Sequence, residues 1–315
     1  MVLVTCTVSG RDGAALRDLG AKDFQVFDDG VEKQVEFFLA PEREPAGVAL
    51  VIDASPSVLR DAKEMTDAAR ALMDVLYRND EVAIVDFSAH TYLQSGFSSD
   101  RNLLSRAIAR VDVRSLLGDT GGSNIYEAVY LTAKGVFAGH RHARNAIVLF
   151  TDGQDSGLGL TLDPASAAVG PGSGRLTFED VIRTLTAADV QVFAVSTENR
   201  PKVMTPQWLE LHRNSTLLTP DARKTGIPAY TLYLAELARS TGGQLYFLHE
   251  ASSLADTFRQ IGRRVNAEYW LGFVPDPLAG VAPHTGWHSL RVSVPGHEGA
   301  NVVYRPSYYV PAGPE

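Results

Sequence analysis

The hydrophobic pattern of the chain changes character twice. Residues 1–42 read as short β-segments: a strand over 2–8, the turn Ser9-Gly10-Arg11-Asp12-Gly13, a strand over 24–27, the turn Asp28-Asp29-Gly30 and a strand over 35–39. The linker Pro41-Glu42-Arg43-Glu44-Pro45 closes this part, because two prolines and three charges resist both helix and central strand. From Ala46 the polar interruptions vanish. Val48-Ala49-Leu50-Val51-Ile52 is uniformly apolar and rich in β-branched residues, the mark of a parallel strand buried on both faces. Strands expected over 81–87, 146–150, 190–195 and 244–247 alternate with helices expected over 59–77, 101–111, 123–137, 178–187, 230–240 and 253–265. An antiparallel edge strand is expected at 90–93. Residues 268–273, 287–294 and 301–304 alternate apolar with polar positions again, with Gly and Pro between them.

This pattern predicts an α/β core, a Rossmann-like doubly wound and mostly parallel sheet, over residues 43–266. Three-strand pieces are marginal alone. The β-rich ends, 1–42 and 267–315, are therefore expected to meet in one small β-sandwich-like domain into which the core is inserted. Two independent decorations of the core are the alternative. Two stretches, 156–175 and 198–228, fit no regular element. Both follow strands whose C-terminal ends face one edge, which places them there, as specificity loops in preference to disordered segments.

Composition narrows the class. The chain of 315 residues is 45% hydrophobic and 21% charged, the balance of a globular protein with a substantial core. A net charge of -8 and a pI near 5.5 argue against nucleic acid or an anionic membrane as partner. The single cysteine, Cys6, excludes an internal disulfide and a cysteine-built zinc site, and its strand context predicts a buried thiol. No apolar run approaches the roughly 18 residues of a membrane helix, and the N-terminus lacks a basic region followed by an apolar stretch.

Candidate chemistry concentrates where strands end. Asp53-Ala54-Ser55-Pro56-Ser57 follows the first buried strand directly, placing a carboxylate and two hydroxyls at the edge where open α/β sheets bind ligands. Gly121-Gly122-Ser123-Asn124-Ile125-Tyr126 adds a hydroxyl in a Gly-rich loop opening a helix, and Val148-Leu149-Phe150-Thr151-Asp152-Gly153 ends another strand in a carboxylate. Oxygen is the donor that hard cations such as Mg²⁺ prefer. Each segment alone is equally well explained as a capped turn, since Asp and Ser are preferred N-caps and Thr-Asp-Gly is ordinary turn chemistry. Asp155, in Asp152-Gly153-Gln154-Asp155, has two readings, an acidic group that tunes the site and, in preference, a turn residue. His140 and His142, in His140-Arg141-His142-Ala143-Arg144, are read as a solvated helix C-cap.

Together the three segments resemble the von Willebrand factor A (VWA) domain and its metal-ion-dependent adhesion site (MIDAS). Asp53, Ser55 and Ser57 meet the family's Asp-x-Ser-x-Ser motif, Ser123 stands where the family has Thr, and Asp152 matches its Thr-Asp-Gly aspartate. Further matches extend over nearly the whole chain. Asp23-Phe24-Gln25-Val26-Phe27-Asp28-Asp29-Gly30, Tyr269-Trp270-Leu271-Gly272-Phe273-Val274-Pro275 and Arg305-Pro306-Ser307-Tyr308-Tyr309-Val310-Pro311 are similar to segments of the VWA-related proteins abundant in Acidobacteria.

The resemblance implies that Ser55, Ser57 and Ser123 contact a cation directly while Asp53 and Asp152 act largely through water. It implies Mg²⁺, with Mn²⁺ or Ca²⁺ as alternatives, under-neutralised and open to a carboxylate from a protein or glycan partner. It also implies an extracytoplasmic binding module whose leader is absent from this chain. A metal-dependent hydrolase is the competing class, but the motif segments contain no His, Lys or Cys to act as base. A structural or assembly protein with a vestigial metal site is the third.

Overall fold

The computed structural model describes the chain except residues 42–43, 56–57, 59–61, 117–121, 140–141, 143, 159–175, 213–214, 251–252, 276–284 and 312–315. In chain order the terminal part begins with β1 (Val2–Ser9), β2 (Gln25–Asp28), β3 (Val31–Lys33) and β4 (Phe37–Leu39). The core follows as β5 (Ala46–Asp53), α1 (Ala62–Val75), β6 (Glu81–Phe87), β7 (Thr91–Ser98), α2 (Arg101–Leu116), α3 (Ile125–Leu131), β8 (Arg144–Thr151), α4 (Phe178–Ala187) and β9 (Val190–Ser196). It continues with α5 (Pro206–Leu211), α6 (Ala229–Ser240), β10 (Gln244–Phe247) and α7 (Leu254–Val265), and the chain closes with β11 (Glu268–Phe273), β12 (Gly286–Ser293), β13 (Asn301–Tyr304) and β14 (Ser307–Val310).

Six core strands form one sheet in the order β10-β9-β8-β5-β6-β7. All neighbours run parallel except β7, which pairs antiparallel with β6 at the edge. Because side chains alternate across a strand, β5 feeds both faces. Val48, Leu50 and Ile52 pack with Met65 and Leu72 of α1, Leu104 and Ile108 of α2, and Phe258 and Ile261 of α7. Ala49 and Val51 pack on the other face with Ile125 and Val129 of α3, Val181 and Leu185 of α4, and Leu234 and Leu237 of α6. The α1–α7 contact depends on Gly262, since a Cβ there would collide with Val75 and press on Leu72. The helix expected over 123–137 begins at Ile125 and ends in a π-helical turn, Thr132–Val136.

The two ends of the chain do combine. One antiparallel sheet has the order β13-β1-β11-β4 and the other β14-β12-β2-β3, so each mixes N- and C-terminal strands. They share a core in which Val4, Cys6, Phe24 and Val26 meet Tyr269, Leu271, Leu290 and Val292. Cys6 is fully buried, and that burial pushes its thiol pKa up. Two strands were not foreseen. β3 completes a hairpin after Asp28-Asp29-Gly30, and β14 continues beyond the Arg305-Pro306 break.

The region 198–228 is more regular than its composition suggested. It contains α5 and a 3₁₀ turn, Pro220–Thr225, and packs Met204, Leu217 and Ile227 against α6 and Phe247. Thr205-Pro206 opens α5, with the Thr205 hydroxyl accepting from Trp208 N at 3.1 Å, so the start signal was present in the sequence. Most of the other insertion, together with His140, lies outside the described residues. His142 is not a solvated cap: its side chain is 9% exposed and pairs through Nε2 with Glu81 Oε2 at 2.8 Å.

A polar seam joins the parallel sheet to the terminal strands. Gln191 donates to Thr5 Oγ1 at 2.7 Å, and buried Arg305 donates to Thr186 O at 2.9 Å and Asp189 Oδ1 at 2.7 Å. Arg144 donates to Val265 O at 3.1 Å, tying the end of α7 to the start of β8. Within the seam Glu268 is 2% exposed and its Oε1 has no hydrogen-bond partner. Burial pushes its carboxyl from 4.5 up to about 8, against the pull of Arg144 and Arg264. A folded-state pKa above the unfolded one means the neutral group favours folding below about pH 4.5. That contribution is lost as pH rises toward about 8. Glu268→Gln holds the neutral form throughout, so its Tm should vary less between pH 5 and 9 and exceed the parent's at the alkaline end by about 2 °C or more in calorimetry. Superimposable pH profiles would rule out this assignment.

Candidate metal centre

Asp53 is the last residue of β5 and is fully buried. Its neighbour β8 runs parallel, with Ile52 beside Phe150, so Thr151 ends that strand at the same level. Thr151 donates its hydroxyl to Asp53 Oδ2 at 2.7 Å and accepts from Gly153 N at 3.1 Å. Asp53 Oδ1 accepts the Ser55 N–H at 3.0 Å, an Asx-type turn that swings the chain off the strand. The same oxygen accepts the Ser123 hydroxyl at 3.0 Å. The Ser55 hydroxyl also bonds this carboxylate. Burial nevertheless pushes the Asp53 pKa up, with the Ser55, Thr151 and Ser123 bonds acting in the opposite direction.

The structure therefore brings Asp53, Ser55 and Ser123 into one hydrogen-bonded group. Asp152, buried one residue past Thr151, is the next acidic group on the β8 end; its Oδ1 accepts from Gln154 N at 2.9 Å. Ser57 and Gly121 lie outside the described residues. Gly122 has φ of +87°, which a residue with a side chain adopts only under strain, and a Cβ there would stand 2.5 Å from Ser156 Oγ. The groups gathered at the β5 end all offer oxygen: the carboxylate of Asp53 and the hydroxyls of Ser55, Ser123 and Thr151. That is the donor set of a hard divalent cation, and these residues fit one.

Three contributions were invisible or underrated in the sequence. Thr151 reads as part of a strand end, yet it anchors the central carboxylate. Glu198, just after β9, and Asp152 both lie close enough to Tyr230, in the first turn of α6, to raise its pKa behind the larger effect of burial. Nothing in the local sequence marks Tyr230, because only the fold brings α6 to this edge. Asp155 is more than a turn residue: its carboxylate accepts from Leu158 N at 2.7 Å and, across to α3, from Tyr126 N at 3.4 Å.

A second gathering of ionisable groups lies among the terminal strands. Asp28, Asp29 and His288 place one ligand atom each within 4.8 Å of one another. His288 Nδ1 is 2.9 Å from Asp29 Oδ2, Ser289 N donates to Asp29 Oδ1 at 2.8 Å, and Tyr308 donates to Asp28 Oδ1 at 3.2 Å. These bonds tie the β2–β3 hairpin to β12 and β14.

A mostly parallel sheet between two helical layers, with Asp, Ser and Ser at one strand end and Thr-Asp-Gly at another, defines the class. Residues 48–154 match the family model of the von Willebrand factor type A domain. No curated protein matches the sequence. Among solved structures, an aerotolerance-related membrane protein from Bacteroides fragilis is similar at 15% identity and TM-score 0.47, covering 70% of this chain and 98% of its own. A von Willebrand factor type A protein from Catenulispora acidiphila is similar at 14% identity and TM-score 0.45, covering 91% and 72%. Proximal thread matrix protein 1 from the mussel byssus, whose MIDAS motif is occupied by zinc, is similar at 15% identity and TM-score 0.47; the match covers 74% of this chain and 48% of that one.

Thr151→Val keeps the shape of the side chain and removes its hydroxyl. It leaves Asp53 Oδ2 without its 2.7 Å donor, so urea denaturation should show a loss of about 1–3 kcal/mol. A variant as stable as the parent would show that the buried carboxylate does not depend on this bond.

Proposed function

We propose that this chain is a non-enzymatic binding module that holds a divalent cation at the β5 and β8 strand ends and engages an acidic group of a partner through it. Ser55, Ser57 and Ser123 contact the ion directly in this reading, while Asp53 and Asp152 act through water. Mg²⁺ is the first candidate, with Mn²⁺ or Ca²⁺ as alternatives. The observation that carries the reading is the convergence of the Ser55, Ser123 and Thr151 hydroxyls on the carboxylate of Asp53. A site with few direct carboxylates leaves a divalent ion short of negative charge. A carboxylate from a protein or glycan can then replace a water and complete the shell. The buried floor strengthens that bond, because the charges meet where water screens them poorly.

The placement of the site supports a role in binding. It lies at the C-terminal edge of the sheet, with Tyr230 near both Asp152 and Glu198, so a partner meets the ion and these groups on one surface. We take residues 43–266 as the binding unit, with 1–42 and 267–315 forming its β-rich base. An extracytoplasmic setting is part of the proposal. Among the described residues no helix is long and apolar enough to cross a membrane.

Calorimetric titration of chelator-stripped protein with Mg²⁺ and Mn²⁺, beside the Ser55→Ala/Ser57→Ala double variant, tests this. One saturable site in the parent, lost in the variant, is expected. Equal binding by both proteins would place the ion elsewhere. No heat from either ion, even with millimolar acetate supplied as a surrogate carboxylate, would overturn the proposal.

A further inference from the structure

The loop that carries Ser123 and the loop that carries Asp152 come from distant parts of the chain, and a cation between them needs both at fixed positions. The first turn of α3 has orphan N–H groups like any helix start. Its N-cap residue, Asn124, makes no side-chain capping bond; its amide instead donates to Ala89 O at 2.8 Å. The cap comes from the other loop. Asp155 Oδ1 accepts from Tyr126 N at 3.4 Å, and the Ile125 N–H also favours its charged form. With Oδ2 it accepts from Leu158 N at 2.7 Å, and it also takes a bond from Gly157 N. A single partly buried carboxylate thus closes its own turn and holds the helix that begins two residues after Ser123.

Two further contacts reinforce the same junction. Ser156 N donates to Ser123 O at 2.8 Å, so the residue after Asp155 bonds the backbone of the candidate ligand itself. Gly122 leaves just enough room for Ser156, as the 2.5 Å clearance from a hypothetical Cβ indicates. Across this junction Ser123 reaches Asp53 at 3.0 Å and Asp152 bonds Gln154 N at 2.9 Å. Helix-dipole attraction adds to the hydrogen bonds, since the acid faces the positive end of α3.

We propose that Asp155 is a positioning residue of the cation site, latching the loop after β8 to the start of α3 and so fixing Ser123 relative to Asp152. This inference rests on the cation reading of the site. Groups that orient metal ligands typically govern affinity by about 10–100-fold when removed. Asp155 should do so without touching the ion.

The test is Mn²⁺ titration of the full chain, by calorimetry and by the electron paramagnetic resonance of bound Mn²⁺, for the parent, Asp155→Asn and Asp155→Ala. Melting of the metal-free proteins and hydrogen exchange at the Tyr126 and Leu158 amides accompany it. Asp155→Asn keeps the size of the side chain but turns one acceptor into a donor. It should bind Mn²⁺ about tenfold more weakly, with a broadened spectrum and faster exchange at the amide it releases. Asp155→Ala should lose more. If the alanine variant fails to fold without metal, the asparagine variant decides alone. Parent-like Mn²⁺ affinity and spectrum in a folded Asp155→Asn, whatever its Tm, would make Asp155 a structural cap only and overturn the inference. Absence of Mn²⁺ binding by the parent would remove the cation reading and this inference with it, and that result is distinct from a variant matching a parent that binds.

Discussion

A carboxylate ends the most deeply buried strand of this protein, and most of the local architecture follows from accommodating it. Asp53 is fully buried, and among the described residues no basic side chain pairs with it, yet it is not left alone. Its oxygens are met by a backbone N–H and by hydroxyls from β8 and from the loop before α3. Hydroxyls satisfy a buried acid without cancelling its charge, and each can turn a lone pair toward a cation. An arginine in their place would neutralise the acid and close the site. The cost of keeping Asp53 dry appears as its raised pKa, and a divalent ion would relieve that cost.

Such an arrangement needs a rigid frame. The parallel register of β5 with β6 and β8 sets Asp53 and Thr151 side by side. Helices on both faces seal the strand, with α1 and α7 in contact close enough that Gly262 tolerates no side chain. At the opposite edge the polar seam of Arg144, Arg305 and Glu268 joins the core to the terminal strands. Uncompensated polar groups gather there: Glu268 Oε1, Asn266 Oδ1 and Trp270 Nε1 are all buried without partners. The polar seam and the candidate site therefore sit at opposite edges of one sheet.

Much of the frame was legible in the chain. Uninterrupted apolar runs announce parallel strands because both faces must be apolar, and the bounds read from the sequence agree closely for the parallel strands β6 and β10, the helix α4 and the antiparallel strand β11. The terminal β-segments were also readable, although β14 was hidden behind Pro306 and β3 was too short and polar to show a period. The region 198–228 was misjudged as irregular because its apolar residues have no clear period, though Thr205-Pro206 gave a start signal.

The candidate ligands could be named from sequence because their chemistry is local: Asp-x-Ser-x-Ser and Thr-Asp-Gly each occupy a few residues at a strand end. Their assembly was not local. That Thr151 bonds Asp53, that Tyr230 stands near both Asp152 and Glu198, and that Asp155 caps a helix from another loop all require strands and loops apart in the chain to be brought together. Sequence by itself determined the elements, their alternation and the donor types, since hydrophobic period and side-chain chemistry belong to single segments. Only the tertiary structure decided which donors share one carboxylate and which acid caps the helix beside them, because hydrogen bonds form between neighbours in space.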